Sequence, residues 1–190
     1  MNIGVDCDEV LAQFIGSFLD YHNRLYGTQL CFEDCTRPEL YHVLGETNAV
    51  TWQRMMDFWD TPTFDEIRPV SGSVEAVREL RKSNALEIVS SRHPGLLAKT
   101  ETWIERHYEG CFSAIHFNGT DTNVLSRTKL DICRERQLDV LVEDSLSNAL
   151  MCANGRRVYL LDKPWNQCSD LPSTITRVYY WDEVVRALLK

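Results

Sequence analysis

Apolar residues along this chain fall into short runs separated by longer stretches of helical periodicity. Runs of strand length extend from Asn2 to Val5, Ala85 to Val89, Ala114 to Phe117, Val140 to Val142 and Val158 to Leu161. The stretches between the later runs read as helices. "SVEAVRELRK" sets Val74, Val77 and Leu80 on one face and charge on the other. Pro94 is placed to open a helix running through Trp103 and Ile104 towards Tyr108. "SRTKLDICRER" and "SLSNALMCAN" are two more, with Gly155 at the expected C-cap, and "WDEVVRALL" makes an amphipathic last helix. Strands alternating with helices predict an α/β fold: a three-layer, doubly wound parallel sheet of the Rossmann-like kind. Right-handed connections then gather ligands at the carboxyl ends of the strands.

One section breaks the alternation. From Val10 to about Arg68 there is no buried-strand pattern. Instead Leu11, Phe14, Phe18, Tyr21 or His22, and Leu25 recur at helical spacing up to Gly27, and a second helix carries Trp52, Met55, Met56 and Trp59. The pattern predicts a small helical cap inserted after the first strand, over residues 15–68, with the α/β core formed by 1–14 and 69–190.

Composition adds mainly exclusions. The 190 residues suit one domain, with 44% apolar and 25% charged residues as in ordinary soluble proteins. A net charge of -8 argues against nucleic acid or an anionic membrane as the main partner. No apolar stretch reaches membrane-span length, and no basic-then-apolar leader precedes Asp6. Seven scattered cysteines, an odd number, fit reduced thiols and a cytoplasmic setting. Cys31 and Cys35 lack a second ligand pair for zinc and read as small, partly buried thiols. The oligomeric state, a homodimer included, is left open.

The candidate chemistry sits at the predicted strand ends. Asp6 and Asp8 follow the first strand, and alternation along an extended backbone points both the same way, with Cys7 turned away. "SSR" (Ser90, Ser91, Arg92) follows the second, and "EDS" brings Glu143 and Asp144 after "LDVLV". Lys129 stands near the start of the helix preceding that strand. Each group alone has an ordinary structural explanation, such as a helix cap, a turn serine or a solvated lysine. One polar set at each expected strand end is a stronger signal. Crowded carboxylates repel one another, and a hard dication such as Mg²⁺ is the expected remedy.

These residues resemble the four motifs of the haloacid dehalogenase-like phosphohydrolases: "DCDEV", "VSSR", Lys129 and "VEDS", in order. Within that superfamily the chain is most similar to the 5′(3′)-deoxyribonucleotidase-like branch, through "DCDEVLAQF", "NRLYG" and "LLDKPWNQ". The resemblance implies a Mg²⁺-dependent phosphomonoesterase working through an aspartyl-phosphate. Asp6 would be the nucleophile and Asp8 the general acid and base, with Ser90 and Lys129 holding the transferring oxygens. It assigns the metal to the Asp6 carboxylate, the Asp8 backbone carbonyl and Asp144, with Glu143 either a direct ligand or a support behind one. Two positions depart from the branch: Glu143 where Asp is usual, and Glu9 where Gly is frequent, the latter expected to alter the loop alone.

The implied substrate is a small phosphorylated metabolite, a (deoxy)nucleoside monophosphate by resemblance, with sugar phosphates as the runner-up. Trp52, Trp59 and Phe64, together with Ser91 and Arg92, are the candidate substrate contacts, the aromatics by stacking on a base. Each of these aromatics equally suits a core of the insertion's own. A receiver domain of a signalling relay would place its acceptor Asp after a middle strand, and a dehalogenase has no need of an acid at position 8. A silent phosphate-binding relative would be expected to have lost Asp6, Asp8, Lys129 or Asp144, and all four are present.

Overall fold

The computed structural model describes residues 1–118 and 127–189. Six strands form one parallel sheet: β1 (Asn2–Val5), β2 (Ala85–Ser90), β3 (Ile115–Phe117), β4 (Val140–Glu143), β5 (Arg157–Leu161) and β6 (Ile175–Val178). Their spatial order is β3-β2-β1-β4-β5-β6. The chain therefore winds outward in both directions from β1, and the crevice at the ends of β1, β2 and β4 is the topological switch point where ligands bind. Helices α5 (Ser73–Arg81), α6 (Leu97–Tyr108), α7 (Lys129–Glu135), α8 (Leu146–Cys152) and α9 (Trp181–Leu188) cover the two faces. This is the doubly wound α/β fold that the alternation predicts.

Each expected strand is present within a residue or so, and β6 is an addition. "ITRV" has only two apolar residues, buried on opposite faces of the sheet, and lies at its edge, so its pattern is too thin to read in advance. The helix expected from Ser126 begins at Lys129, Ser126 itself lying outside the described residues. Helix α8 ends at Cys152 with Ala153 as its cap, and Gly155 (φ 76°) belongs to the turn beyond. Gly4 in β1 sits under close packing: an added Cβ would lie 2.7 Å from Leu138 Cδ1 and 3.2 Å from Leu141 Cδ1, so those side chains would have to shift.

Between β1 and α5 the chain is helical: α1 (Phe14–Tyr26), α2 (Leu40–Leu44), α3 (Asn48–Trp59) and α4 (Pro62–Asp65). The two passes of chain that lead into and out of this segment are tied together. Gln13 N–H donates to the Arg68 carbonyl (2.9 Å) and Val70 N–H to that of Leu11 (2.8 Å). Phe14 packs on Phe18, Phe58 and Phe64, and these rings continue into the same apolar cluster as Ile3, Val5, Val140 and Val142 of the sheet. The segment is thus held over the strand ends by a continuous core. Asn23 of "NRLYG" has a plain structural role. Its side chain brackets Leu30, donating to the carbonyl (2.8 Å) and accepting from the N–H (3.0 Å), so the loop after α1 closes on the helix.

Candidate active site

Asp6 leaves the end of β1 with its N–H bonded to the Val142 carbonyl (3.0 Å), which sets it beside the end of β4. Its Oδ1 accepts from Cys7 N–H (2.8 Å) and lies 2.8 Å from Lys129 Nζ. Cys7 itself points into the core, and burial pushes its thiol up to about 12. Lys129 is the first residue of α7, fixed there by a capping box in which Thr128 and Asp131 bond to each other's backbone. Its side chain is wholly buried, and Nζ also lies 2.8 Å from Glu143 Oε2. Burial opposes the ammonium charge, yet Asp6 and Glu143 outweigh that and raise its pKa.

Glu143 ends β4 with no exposed surface, and its other oxygen accepts from Ser145 N–H (3.0 Å) and Asn148 Nδ2 (3.4 Å). Asp144 follows, outside α8 because Ser145 caps that helix by accepting from Asn148 N–H. Two residues of "KPWNQ" hold Asp144: Trp165 Nε1–H donates to Oδ2 (3.0 Å), and Asn166 Nδ2 donates to its carbonyl (2.7 Å). The signature tripeptide therefore orients an acid. Burial pushes the Asp144 carboxyl well above the usual carboxylate range, Glu143 and Asp6 adding to the rise. Asp6 is pushed up to about 7 by burial and then by Glu143, with Lys129 opposing.

Asp6, Glu143 and Asp144 each present an oxygen within 4.8 Å of the others. The donors are all oxygen, which suits a hard dication. Among the described residues Asp6 and Asp144 each keep one oxygen without a hydrogen bond, while both oxygens of Glu143 are engaged. The residues present fit a cation held by Asp6 and Asp144 with Glu143 supporting Lys129 from behind.

Asp8 points to the same crevice. Arg92 Nε donates to both of its oxygens (3.1 and 3.0 Å) and Nη2 to Oδ1 (2.6 Å), while Nη1 donates to Thr100 (3.1 Å). Arg92 is buried, so the structure places it as the partner of Asp8 rather than as an open guanidinium awaiting an anion. Ser90, at the end of β2, is buried and accepts from Arg92 N–H (3.2 Å).

A cavity of about 260 Å³ opens on the acids, lined by Asp6, Asp8, Glu9, Ser91, Asp144 and Ser145 on the core side, with Phe14, Ile15, Pro38, Leu40 and Trp165 around them. Trp52, Trp59 and Phe64 are elsewhere. Phe64 is buried in the core, with Arg92 (5.4 Å) and Lys99 (5.7 Å) over its ring, and borders a separate cavity of about 300 Å³ beside α6. Trp52 and Trp59 meet edge to face (5.3 Å), and Trp59 stacks on His93 (6.0 Å) of the loop after β2. Phe14 and Trp165 are aromatic walls that helical periodicity could not single out, since both also satisfy a core pattern.

Glu9 is the least expected resident. It adopts φ 58°, rare for a residue other than glycine, and is 4% exposed. Its Oε1 accepts from Ile15 N–H in the first turn of α1 (2.6 Å), where Gln13 gives no side-chain cap. Burial pushes its carboxyl up to about 7, the Ile15 bond opposing. In the sequence Glu9 is marked by its place in an acidic run and by standing where the resembled branch frequently has Gly, and the positive φ fits a position that glycine commonly fills.

The fold, with the polar ends of β1, β2 and β4 and the lysine that opens α7 converging at the switch point, is that of a haloacid dehalogenase-like phosphohydrolase. Solved structures agree on the fold. A haloacid dehalogenase-like hydrolase, SP0104 of Streptococcus pneumoniae, superposes with a TM-score of 0.71 at 15% identity, covering 98% of this chain and 97% of that one. The magnesium-bound hydrolase YfnB of Bacillus subtilis gives 0.65 at 12% identity, covering 98% and 97%. The chain belongs to the family described as "5' nucleotidase, deoxy (Pyrimidine), cytosolic type C protein", whose model matches residues 1–190. It is 25% identical over 189 residues to YqfW of Bacillus subtilis, provisionally named a nucleotidase, covering 98% of this chain and 92% of that protein. A nucleotidase of Clostridium acetobutylicum is 24% identical over 190 residues, covering 97% and 91%. The chain is accordingly a hydrolase of the phosphatase and nucleotidase class. Among the described residues no helix is long and apolar enough to cross a membrane.

Proposed function

We propose that this chain is a Mg²⁺-dependent phosphomonoesterase that acts through an aspartyl-phosphate on (deoxy)nucleoside monophosphates. The observation that carries the reading is the buried set Asp6–Lys129–Glu143–Asp144 facing Asp8 across one small cavity. Phosphate monoesters need accelerations of up to ~10²¹, and two displacements divide that barrier. Asp6 attacks phosphorus through a carboxylate oxygen as the bond to the leaving oxygen breaks, and Asp8 gives that oxygen its proton. Water then attacks the aspartyl-phosphate, Asp8 takes back a proton, and the Asp6–phosphorus bond breaks to release phosphate. Lys129 and Ser90 neutralise the spreading negative charge. Asp6, Asp144 and the Asp8 carbonyl would hold Mg²⁺, which supplies charge neutralisation at the phosphoryl oxygens. The residues over 15–68 act as the cap domain on a core of 1–14 and 69–190.

At about 260 Å³ the cavity lies just below the ~300–1,000 Å³ common for small-molecule sites, which favours a compact ester over a polymer. Nucleotides are preferred to sugar phosphates because of the family and because Phe14 and Trp165 offer apolar faces to a base. Phosphate release across a panel of nucleoside monophosphates and sugar phosphates tests this. Activity should require Mg²⁺, vanish in chelator and vanish in Asp6→Asn. Full turnover in chelator would overturn the mechanism, and a preference for sugar phosphates would overturn the substrate.

A further inference from the structure

We propose that Glu9 is a specificity-determining residue: its carboxylate in the wall of the catalytic cavity excludes substrates whose leaving group carries a second anionic group. The inference rests on the phosphatase reading above, which leaves Glu9 without a role. Three observations support it. Glu9 is 96% buried by exposure, yet it lines the same cavity as Asp6, Asp8 and Asp144. One oxygen is held by Ile15 N–H at 2.6 Å, and the other accepts no hydrogen bond among the described residues. The backbone holds φ 58°, a conformation that costs a side chain energy and places this one at the cavity wall.

The N–H groups of Ile15 and, more weakly, Phe14 make Glu9 a cap of α1, and the same carboxylate is also part of the cavity wall. The remaining walls near it, Phe14, Ile15, Pro38, Leu40 and Trp165, are apolar; Lys163, whose charge favours the ionised form of Glu9, is not among the lining residues and holds its ammonium over the Phe32 ring (5.9 Å). A second phosphate or carboxylate on the substrate would enter a space bounded by Glu9 and apolar groups. There it would lose hydration and meet a like charge. A neutral leaving group, such as an unsubstituted nucleoside, meets no such penalty, and its hydroxyl or amino groups have an acceptor in the free oxygen. Selection thus works through an introduced repulsion as well as through fit.

The test compares one nucleoside 5′-monophosphate with its 3′,5′-bisphosphate, measuring kcat/KM for release of the 5′-phosphate at pH 8.5 in saturating Mg²⁺. Glu9→Gln keeps an acceptor for Ile15 N–H and removes the charge. The ratio of bisphosphate to monophosphate kcat/KM should rise at least about tenfold, the scale of one moderated like-charge contact. Glu9→Gly, which takes a positive φ freely, is the second variant and should raise the ratio in the same direction. A ratio unchanged within twofold in both variants, with both substrates slowed in parallel, would make Glu9 only a cap of α1 and overturn the proposal. Absence of hydrolysis of any monophosphate by the unaltered protein would instead overturn the phosphatase reading.

Discussion

Lys129→Met is the sharpest probe of how this site is balanced. Methionine matches the length of the buried stem and removes only the charge. Lys129 lies 2.8 Å from both Asp6 and Glu143 with no exposed side-chain surface, so its loss leaves two buried carboxylates uncompensated. Breaking a buried pair in this way costs about 3–5 kcal/mol. For a domain of this length each kcal/mol lowers Tm by about 2–4 °C, so the metal-free variant should melt roughly 6–20 °C below the parent at pH 8. The effect depends on pH with a definite sign. Asp6 has its folded-state pKa raised to about 7, above the ~3.9 of an unfolded aspartate. The stability that such a group contributes is complete below the unfolded value and is lost as pH rises through about 7. At pH 5.5 Asp6 is protonated with or without the lysine, so the part of the penalty that comes from Asp6 is absent and the drop in Tm should be clearly smaller. Thermal melts in chelator at the two pH values decide the matter. An equal drop at both, or none beyond ~2 °C at pH 8, would refute the reasoning that Lys129 balances Asp6.

Two further outcomes follow from the geometry. Trp165→Phe keeps the ring that meets Phe32 edge to face and removes the N–H donated to Asp144, so the Mg²⁺ concentration for half-maximal activity should rise about 10–100-fold with little change in Tm. Trp59→Ala removes the stack on His93 rather than a wall of the catalytic cavity, so nucleotides and a small aryl phosphate should lose kcat/KM in parallel, whereas a loss confined to nucleotides would set the base against Trp59.

The architecture was legible because parallel strands buried on both faces leave short apolar runs that survive without alignment. β1, β2, β4 and β5 are of that kind, and β6 is not, since Arg177 in its middle bonds outward to Asp162 and Asn166. The acids at the ends of β1 and β4 were legible for a related reason: a charged residue directly after a buried run has few places to go except the crevice. Pair identities were not legible. Arg92 and Asp8 lie 84 residues apart and meet only because β2 pairs in register beside β1. Nor does helical spacing separate an aromatic that lines a cavity from one that fills a core. Phe14 and Phe64 occupy equivalent apolar positions in the pattern, yet Phe14 lines the catalytic cavity and Phe64 does not.

The charges around the cavity argue for a dication on physical grounds, apart from any resemblance. Asp6, Asp8, Glu9, Glu143 and Asp144 stand in or directly behind one small space, with Lys129 and Arg92 as the two buried cations beside them. Both cations are already committed, Lys129 to Asp6 and Glu143 and Arg92 to Asp8. A phosphate dianion approaching this arrangement would face uncompensated carboxylates, each worth about 4 kcal/mol of repulsion per unit of phosphate charge at ~4 Å with an effective dielectric of about 20. Protonation of Asp6, whose carboxyl burial pushes up to about 7, relieves part of that below neutral pH but removes the carboxylate proposed to attack phosphorus. Charge neutralisation by a cation at the free oxygens of Asp6 and Asp144 relieves it while leaving Asp6 ionised. The proposed cation thus has an electrostatic part to play in admitting an anionic substrate, besides the part proposed for it in phosphoryl transfer. Asp8, by contrast, is paired with the Arg92 guanidinium and stays outside the Asp6–Glu143–Asp144 cluster, so the two leading acids of this crevice have different partners.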